Sequence, residues 1–272
     1  MGKTVTANGN ASINTTTKKF GAGSCYLDGA GDYLTTPDHA DFDFSDGIWT
    51  VDGQVYITDL TAWRTLYSHR TDDNNILAIF VSTTGLVRLA ISDGGVGTTF
   101  DTADGVITAN TWYHIEVEEN GDNYYIFVDG VNKHSSSNAL RPQNYTGLVH
   151  AGCRNMAAGN DTYFIGYIDE FRVSKVVRHT ADFTPPSAEY LVDSDTALLL
   201  HLNSDFTDYS DWLNSVADAA HLHTSDAIDL IPFIISMKQK QAEGLFVREK
   251  QASWTMTKQK QISTSWTKEK QS

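Results

Sequence analysis

One run of the sequence, residues 163–175, constrains the fold more than any other segment. It reads Tyr-Phe-Ile-Gly-Tyr-Ile-Asp-Glu-Phe-Arg-Val-Ser-Lys, and its aromatic and β-branched residues favour a strand. Simple alternation predicts one face made of Tyr167, Asp169, Phe171 and Val173. A carboxylate on a buried face costs free energy unless something pairs with it. Asp169 therefore indicates a bound cation, a backbone turn or a nearby base beside this strand.

Similar short alternating segments recur along the first two thirds of the chain. Turn residues separate them, as in the predicted hairpin around Asn120-Gly121-Asp122-Asn123. Hydrophobic residues make up 40% of the sequence, which is enough for a core, and helix-forming runs are few. Short strands at regular spacing predict an all-β sandwich.

Four motifs carry a family resemblance, in the order Phe20–Leu34, Asn110–Ile115, Tyr124–Val131 and Gly166–Pro186. Together they resemble the opening, the central strands and the last strand of laminin-G-like domains, which belong to the concanavalin-A-like jelly-roll superfamily. The resemblance implies a sandwich of two antiparallel sheets over residues 1–190. The ending Arg-His-Thr-Ala-Asp-Phe-Thr-Pro-Pro, residues 178–186, is similar to a family variant associated with phage and marine-virus structural proteins.

Residues 191–235 follow a break at Thr184-Pro185-Pro186 and are interpreted as a linker. Within it, the apolar run 198–202 is similar to a run that begins a domain in tandem arrays of the family. We expect this run to fold back and complete the first sandwich, which would avoid a naked sheet edge. The alternative is the start of an incomplete second repeat.

The last segment, residues 236–272, contains a ten-residue repeat. Basic pairs begin at Lys238, Arg248, Lys258 and Lys268. The segment carries a formal charge of +5, against −19 for the first 235 residues, so it is expected to have its own partner. We interpret it as an anchor to other virion proteins or a homo-oligomerisation device. The alternative is a disordered, solvated tail.

Composition excludes several classes of function. The net charge of −14 argues against nucleic acid as a partner, because phosphates must be neutralised by basic side chains. No apolar stretch serves as a signal peptide or as a membrane span. We therefore expect the protein to act at a virion surface, leaving the cell as part of a particle. For Cys25 and Cys153, two buried free thiols are favoured over a disulfide.

Catalytic patterns are weak, and the chain is predicted not to be an enzyme. Glu116 and Glu118 are spaced to share one face of a strand, as the carboxylates of related glycoside hydrolases do. A solvent-facing polar side of the strand explains them better. His221 and His223 form a possible metal-ligand pair with no cysteine or third histidine nearby in the sequence.

The resemblance also implies a structural calcium ion, held partly by Asp28, Asp32 and Asp169. Calcium prefers carboxylate and carbonyl oxygens from loops. Alternatively, Asp28 and Asp32 shape the turn at Gly29-Ala30-Gly31 through hydrogen bonds to their own backbone.

For glycan binding, the resemblance implies aromatic and polar side chains on a sheet face or loop rim. The candidates are Trp63, Arg64, Tyr67, His69, Asp72, Asp73, Asn74, Asn75, Asn155, Asn160 and Tyr163. Trp49 and Trp112 are assigned to the core because they lie in alternating strands.

The leading hypothesis is therefore a virion structural protein, such as a tail fibre, spike or capsid decoration. Its jelly-roll domain would bind a host or environmental polysaccharide. The second hypothesis is a purely architectural sandwich without a ligand, and the third is a polysaccharide-degrading hydrolase.

Overall fold

The computed structural model describes residues 2–210. The predicted ten-residue repeat, the proposed tail segment 236–272 and the pair His221 and His223 lie outside this range. The described part is all-β, with two antiparallel sheets packed face to face. The predicted two-sheet jelly-roll sandwich is confirmed. Within this part, no helix has the length and apolarity that a membrane span requires.

The first sheet has seven strands. In spatial order they are β1 (Thr6–Asn8), β4 (Tyr33–Thr36), β13 (Val149–Ala151), β6 (Arg64–Asp72), β7 (Asn75–Val81), β8 (Val87–Asp93) and β9 (Val96–Asp101).

The second sheet has eight strands. In spatial order they are β12 (Val131–Ser137), β11 (Asn123–Val128), β10 (Trp112–Asn120), β5 (Ile48–Ile57), β14 (Ile165–Ser174), β3 (Ser24–Asp28) and β2 (Ser12–Asn14), with β15 (Thr196–Leu200) paired to β14. One 3₁₀ turn, Ala40–Phe42, precedes β5.

The inner faces of the two sheets form one hydrophobic core. Trp49, Val51 and Val55 of β5 contribute from the second sheet, and Leu77 and Ile79 of β7 from the first. Because strand residues alternate between faces, the even-numbered residues of β5 lie on the outer face of the second sheet. Trp49 is buried as expected, but Trp112 is only partly buried and lies on the outer face.

Strand β14 does not alternate simply, and the predicted placement of Asp169 with Phe171 and Val173 is wrong. Asp169 pairs with Gln54, and Arg172 pairs with Asp52, so two residues of β14 face one residue of β5 between them. This is a β-bulge, and its extra residue, Glu170, has a φ of 52°. The bulge moves Phe171 into the core while Asp169 stays on the outer face.

Asp169 is stabilised by a backbone turn, one of the three partners that the sequence suggested. Its Oδ2 accepts hydrogen bonds from the N–H groups of Lys19 (2.8 Å) and Phe20 (3.0 Å). These bonds tie the loop before β3 to the outer face of the second sheet.

Strand β15 completes the sandwich, as the first of the two alternatives for this segment requires. It pairs with residues 171–174 of β14, on the same edge where β3 pairs with residues 165–168. Leu198 and Leu200 enter the core, while Leu199 packs against Tyr190 and Val192. The two cysteines, Cys25 and Cys153, are both buried and free.

Candidate functional site

A row of four aromatic rings crosses the outer face of the second sheet. Its members, here called the aromatic row, are Trp112 on β10, Tyr56 on β5, Tyr167 on β14 and Tyr26 on β3. They are in register: Trp112 is opposite Tyr56, Tyr56 opposite Tyr167, and Tyr167 opposite Tyr26. All four are partly exposed.

Successive rings in the row are in contact. The ring centroids are 5.6 Å apart for Trp112 and Tyr56, 5.8 Å for Tyr56 and Tyr167, and 5.2 Å for Tyr167 and Tyr26. These distances approach the spacing of neighbouring strands, because each strand supplies one ring. The row is therefore a continuous aromatic strip perpendicular to the strands.

A second row, made of polar side chains, lies beside the first. Gln54, His114 and Asp169 are each two residues along the strand from an aromatic ring and share its face. All three are almost fully buried. Each has a buried polar atom without a hydrogen-bond partner among the described residues. Burial raises the pKa of Asp169 to about 7, although the hydrogen bond from the Phe20 N–H group acts to lower it.

Part of the remaining outer face is covered by residues 175–195, the segment between β14 and β15, here called the strap. The N–H groups of Arg178 and His179 donate to Glu118 Oε2 (2.9 and 3.2 Å), and His179 Nδ1 lies 2.7 Å from Glu116 Oε1. Arg172 lies over the ring of Tyr190, 4.4 Å from its centroid. The middle of the strap comes closest to the aromatic row, where Phe183 contacts His114.

Glu116 and Glu118 are therefore neither solvent-facing nor lining an open groove. Both are buried under the strap. Burial, with the nearby charge of Asp52, raises the pKa of Glu116 to about 8. Burial, with the neighbouring Glu116, raises the pKa of Glu118 to about 7. Their position fits a role in fastening the strap better than attack on a substrate.

The predicted glycan-binding residues are divided between surface and core. Tyr67 and His69 are buried, and the Tyr67 ring packs against Phe171 inside the sandwich. Arg64 is also buried and donates to Asp59 and to the carbonyl of Tyr163. These three side chains are placed for packing or loop support and cannot line a surface site.

The polar candidates of the β6–β7 turn mostly bond to one another. Asp72 Oδ1 accepts from the Asn74 N–H and from Asn75 Nδ2, both at 2.8 Å. Asp73 pairs with Arg70 and accepts from the Ala157 N–H. These bonds shape the turn.

Trp63 lies on the outer face of the first sheet, away from the aromatic row. Its ring meets Phe80 edge-on with a centroid distance of 6.0 Å, and Arg88 lies over it at 4.8 Å. Arg88 forms a two-pronged pair with Asp101 (2.7 and 2.6 Å). Tyr163 contacts Tyr33 on the same sheet, at 6.3 Å. Trp63 is thus largely a cover over Phe80.

The three carboxylates proposed for calcium do not form one site. Asp28 is opposite Ile165 and Asp169 lies four residues further along β14. Asp32 accepts from the N–H groups of Asn10 (2.7 Å) and Asp28 (3.0 Å), and Asp28 accepts from the Ala30 N–H. Asp28 and Asp32 shape their turn, and the set does not fit a shared ion. Two other groups of described residues bring metal-ligating atoms together: Asp52, His114 and Glu116, and Glu170, Glu189 and His201.

Comparison with known protein families identifies the superfamily of this domain. The model described as the concanavalin A-like lectin/glucanases superfamily matches residues 28–182, which is more than half of the chain. The chain belongs to this superfamily. No match was found among curated proteins.

This superfamily member is similar to solved structures at low sequence identity. The binding domain of botulinum neurotoxin serotype G is 13% identical, with a TM-score of 0.52, and the match covers 65% of this chain and 44% of that one. The chain thus spans less than half of that domain. Domain 4 of the arabinanase AbnA from Geobacillus stearothermophilus, in complex with arabinotriose, is 20% identical with a TM-score of 0.49, covering 64% of this chain and 82% of that one.

Sequence reasoning missed the aromatic row of this lectin-like domain. Its residues come from four strands that are distant in sequence, so no local motif contains them. The available signal was weak: each ring occupies the face of its strand opposite to the core residues. Only strand order and register show that the four positions are neighbours.

Proposed function

We propose that this domain binds a polysaccharide at the aromatic row. The observation that carries the proposal is the register of Tyr26, Tyr167, Tyr56 and Trp112, which places four partly exposed rings side by side. The C–H faces of sugar rings pack against aromatic faces. Membership of a superfamily of lectins and glucanases supports a carbohydrate ligand.

The surface around Trp63 on the first sheet is the alternative glycan-binding site, and it is the site that the sequence alone predicts. The aromatic row is the better candidate because Arg88 lies over the Trp63 ring and Phe80 contacts it. Both contacts reduce the ring area that a sugar can cover. In the row, the rings contact mainly each other.

The test compares variants of the two surfaces. Full-length protein and its Tyr56→Ala and Trp63→Ala variants are run by affinity electrophoresis in gels that contain different polysaccharides. We expect retardation by at least one polysaccharide, lost in Tyr56→Ala and kept in Trp63→Ala.

Tyr125→Ala is the matched control, because Tyr125 is a partly exposed tyrosine on the same sheet outside the row. Loss only in Trp63→Ala would assign the site to the first sheet. Absence of retardation by any polysaccharide would favour the architectural alternative.

The domain is proposed to be non-catalytic. Glu116 and Glu118 are buried and bonded to the strap, which leaves no space for a sugar between them. Release of reducing sugar from a bound polysaccharide, abolished by Glu116→Gln in a folded protein, would overturn this assignment.

We further propose that the domain is displayed on a virion, as part of a tail fibre, spike or capsid decoration. Support comes from the similarity of residues 178–186 to virus-associated relatives and from the charge contrast of the segment 236–272. Particle proteomics tests the location. The mass in solution of the full chain, compared with a chain ending at Ile235, tests the segment as an oligomerisation device. Equal oligomeric state and equal particle attachment would contradict that role.

A further inference from the structure

The aromatic row also indicates the class of polysaccharide. We propose that its ligand is the interior of a single, neutral, extended polysaccharide chain that crosses the strands; this inference rests on the proposed function. Three features of the row support it: its length, the angles between its rings and the side chains that flank it.

The length and direction of the row favour an internal stretch of chain over a terminal sugar. Four rings follow one another at 5.2 to 5.8 Å across four strands, each step being about the length of one sugar ring. Beyond Tyr26 the next position in register is Ser12 on β2, which is small and exposed. At this position β2 places no bulky side chain, so a polysaccharide chain can continue past Tyr26 over β2.

The ring angles favour one flexible chain over a crystalline surface. The planes of neighbouring rings differ by 57° for Trp112 and Tyr56, 70° for Tyr56 and Tyr167, and 43° for Tyr167 and Tyr26. A flat crystal face would contact coplanar rings best. A single chain can rotate about its glycosidic bonds and present each sugar to a differently tilted ring.

The flanking side chains favour a neutral ligand. The eight positions two residues from the rings along their own strands are Ser24, Asp28, Gln54, Thr58, Asn110, His114, Ile165 and Asp169. None of these eight is lysine or arginine, the side chains that recognise carboxylate and sulfate groups by charge-assisted hydrogen bonds. Lys19, in the loop before β3, contacts Asp169 through its main-chain N–H group. Gln54, His114 and Asp169 are buried, whereas Asp28, Thr58 and Asn110 are at least partly exposed. The carboxyl, hydroxyl and amide groups of these three exposed residues suit sugar hydroxyls. The whole chain carries a net charge of −14, which repels anionic polymers.

The experiment uses full-length protein and four probes: soluble neutral polysaccharides, crystalline cellulose, alginate, and sulfated galactan. For any polysaccharide that binds, titration calorimetry follows an oligosaccharide series from the monosaccharide to the hexasaccharide. We expect binding to a soluble neutral chain, little change with salt, and affinity that rises with length up to about four sugars. Tyr56→Ala and Tyr167→Ala, in the middle of the row, should each weaken binding about tenfold, and Tyr125→Ala should not.

Each result that contradicts the proposal overturns a different part of it. Three results would overturn the assigned ligand class while leaving glycan binding intact. They are salt-sensitive binding to alginate or sulfated galactan, a preference for crystalline cellulose, and equal affinity for monosaccharide and tetrasaccharide. Unchanged affinity in both Tyr56→Ala and Tyr167→Ala overturns the row as the site. Failure to bind any glycan overturns the proposed function itself.

Discussion

Arg172 and Asp52 form a two-pronged ion pair on the outer face of the second sheet, with Nε–Oδ1 and Nη2–Oδ2 distances of 2.9 and 2.8 Å. The pair links neighbouring strands β14 and β5, and the Arg172 guanidinium also supports the Tyr190 ring of the strap. Burial alone would raise the pKa of Asp52, but the charges and hydrogen bonds of Arg172 and His114 together outweigh it and hold that pKa below its usual range. The Arg172–Asp52 pair therefore links the second sheet to the strap.

Breaking this pair should strongly destabilise the fold. Arg172→Met leaves the buried carboxylate of Asp52 without its counter-charge, and we expect a loss of ~3–5 kcal/mol in the free energy of unfolding, measured by urea denaturation. The matched control is Arg88→Met, which breaks the more exposed pair with Asp101 and should cost no more than ~1 kcal/mol. Similar losses for the two variants would contradict the structural importance of the buried pair.

Glu116 should make stability depend on pH. Its pKa of about 8 in the folded chain lies above the ordinary value of 4.5, so the folded chain keeps a proton that the unfolded chain releases. Between these values the contribution of Glu116 to the free energy of unfolding falls as pH rises, by up to ~1.4 kcal/mol per pH unit.

Glu116→Gln should remove this slope, so the stability of the variant relative to wild type should rise between pH 5 and pH 8. Urea denaturation at several pH values measures it. Glu118→Gln is the comparison, because the pKa of Glu118 is about 7 and its relative gain should level off at lower pH. A pH-independent difference for Glu116→Gln would refute the raised pKa.

The bulge at Glu170 should be essential for the register of β14. Deleting Glu170 would force either Asp169 and Tyr167 or Phe171 and Val173 onto the wrong face. We expect the deletion to prevent folding, as judged by circular dichroism and by the yield of soluble protein.

Glu170→Gly is the matched control for the deletion. Glycine accepts the φ of 52° and keeps the bulge, but it loses the hydrogen bonds of Glu170 to His201 and to the Tyr190 N–H. This variant should fold with reduced stability. A deletion variant as stable as Glu170→Gly would show that the bulge is dispensable.

The two cysteines should be unreactive in the folded protein. Burial, with the nearby Asp161, raises the pKa of Cys153 to about 12, and burial raises the pKa of Cys25 well above its ordinary value. Because the thiolate is the reactive form, Ellman's reagent should detect no thiol under native conditions and two in denaturant without reductant. Two thiols that stay undetected in denaturant would indicate a disulfide.

Local sequence determined much of the architecture. The alternation of β5 and β10 and the turn signals between strands predict a two-sheet sandwich, because apolar faces at a period of two must be buried against each other. The four motifs identify its family without reference to contacts. The apolar run 198–202 had to enter some core, but the sequence left open whether it completed this sandwich or began a second repeat, and the pairing of β15 with β14 decided it.

Only the tertiary structure decided what lies on the outer faces. A bulge of one residue at Glu170 reverses the faces of half a strand, and nothing in the local alternation reveals it. The strap buries Glu116 and Glu118, which alternation alone would expose. The aromatic row exists because strand order and register bring Tyr26, Tyr56, Trp112 and Tyr167 together. Sequence patterns report which residues avoid water, whereas long-range pairing decides which exposed residues become neighbours.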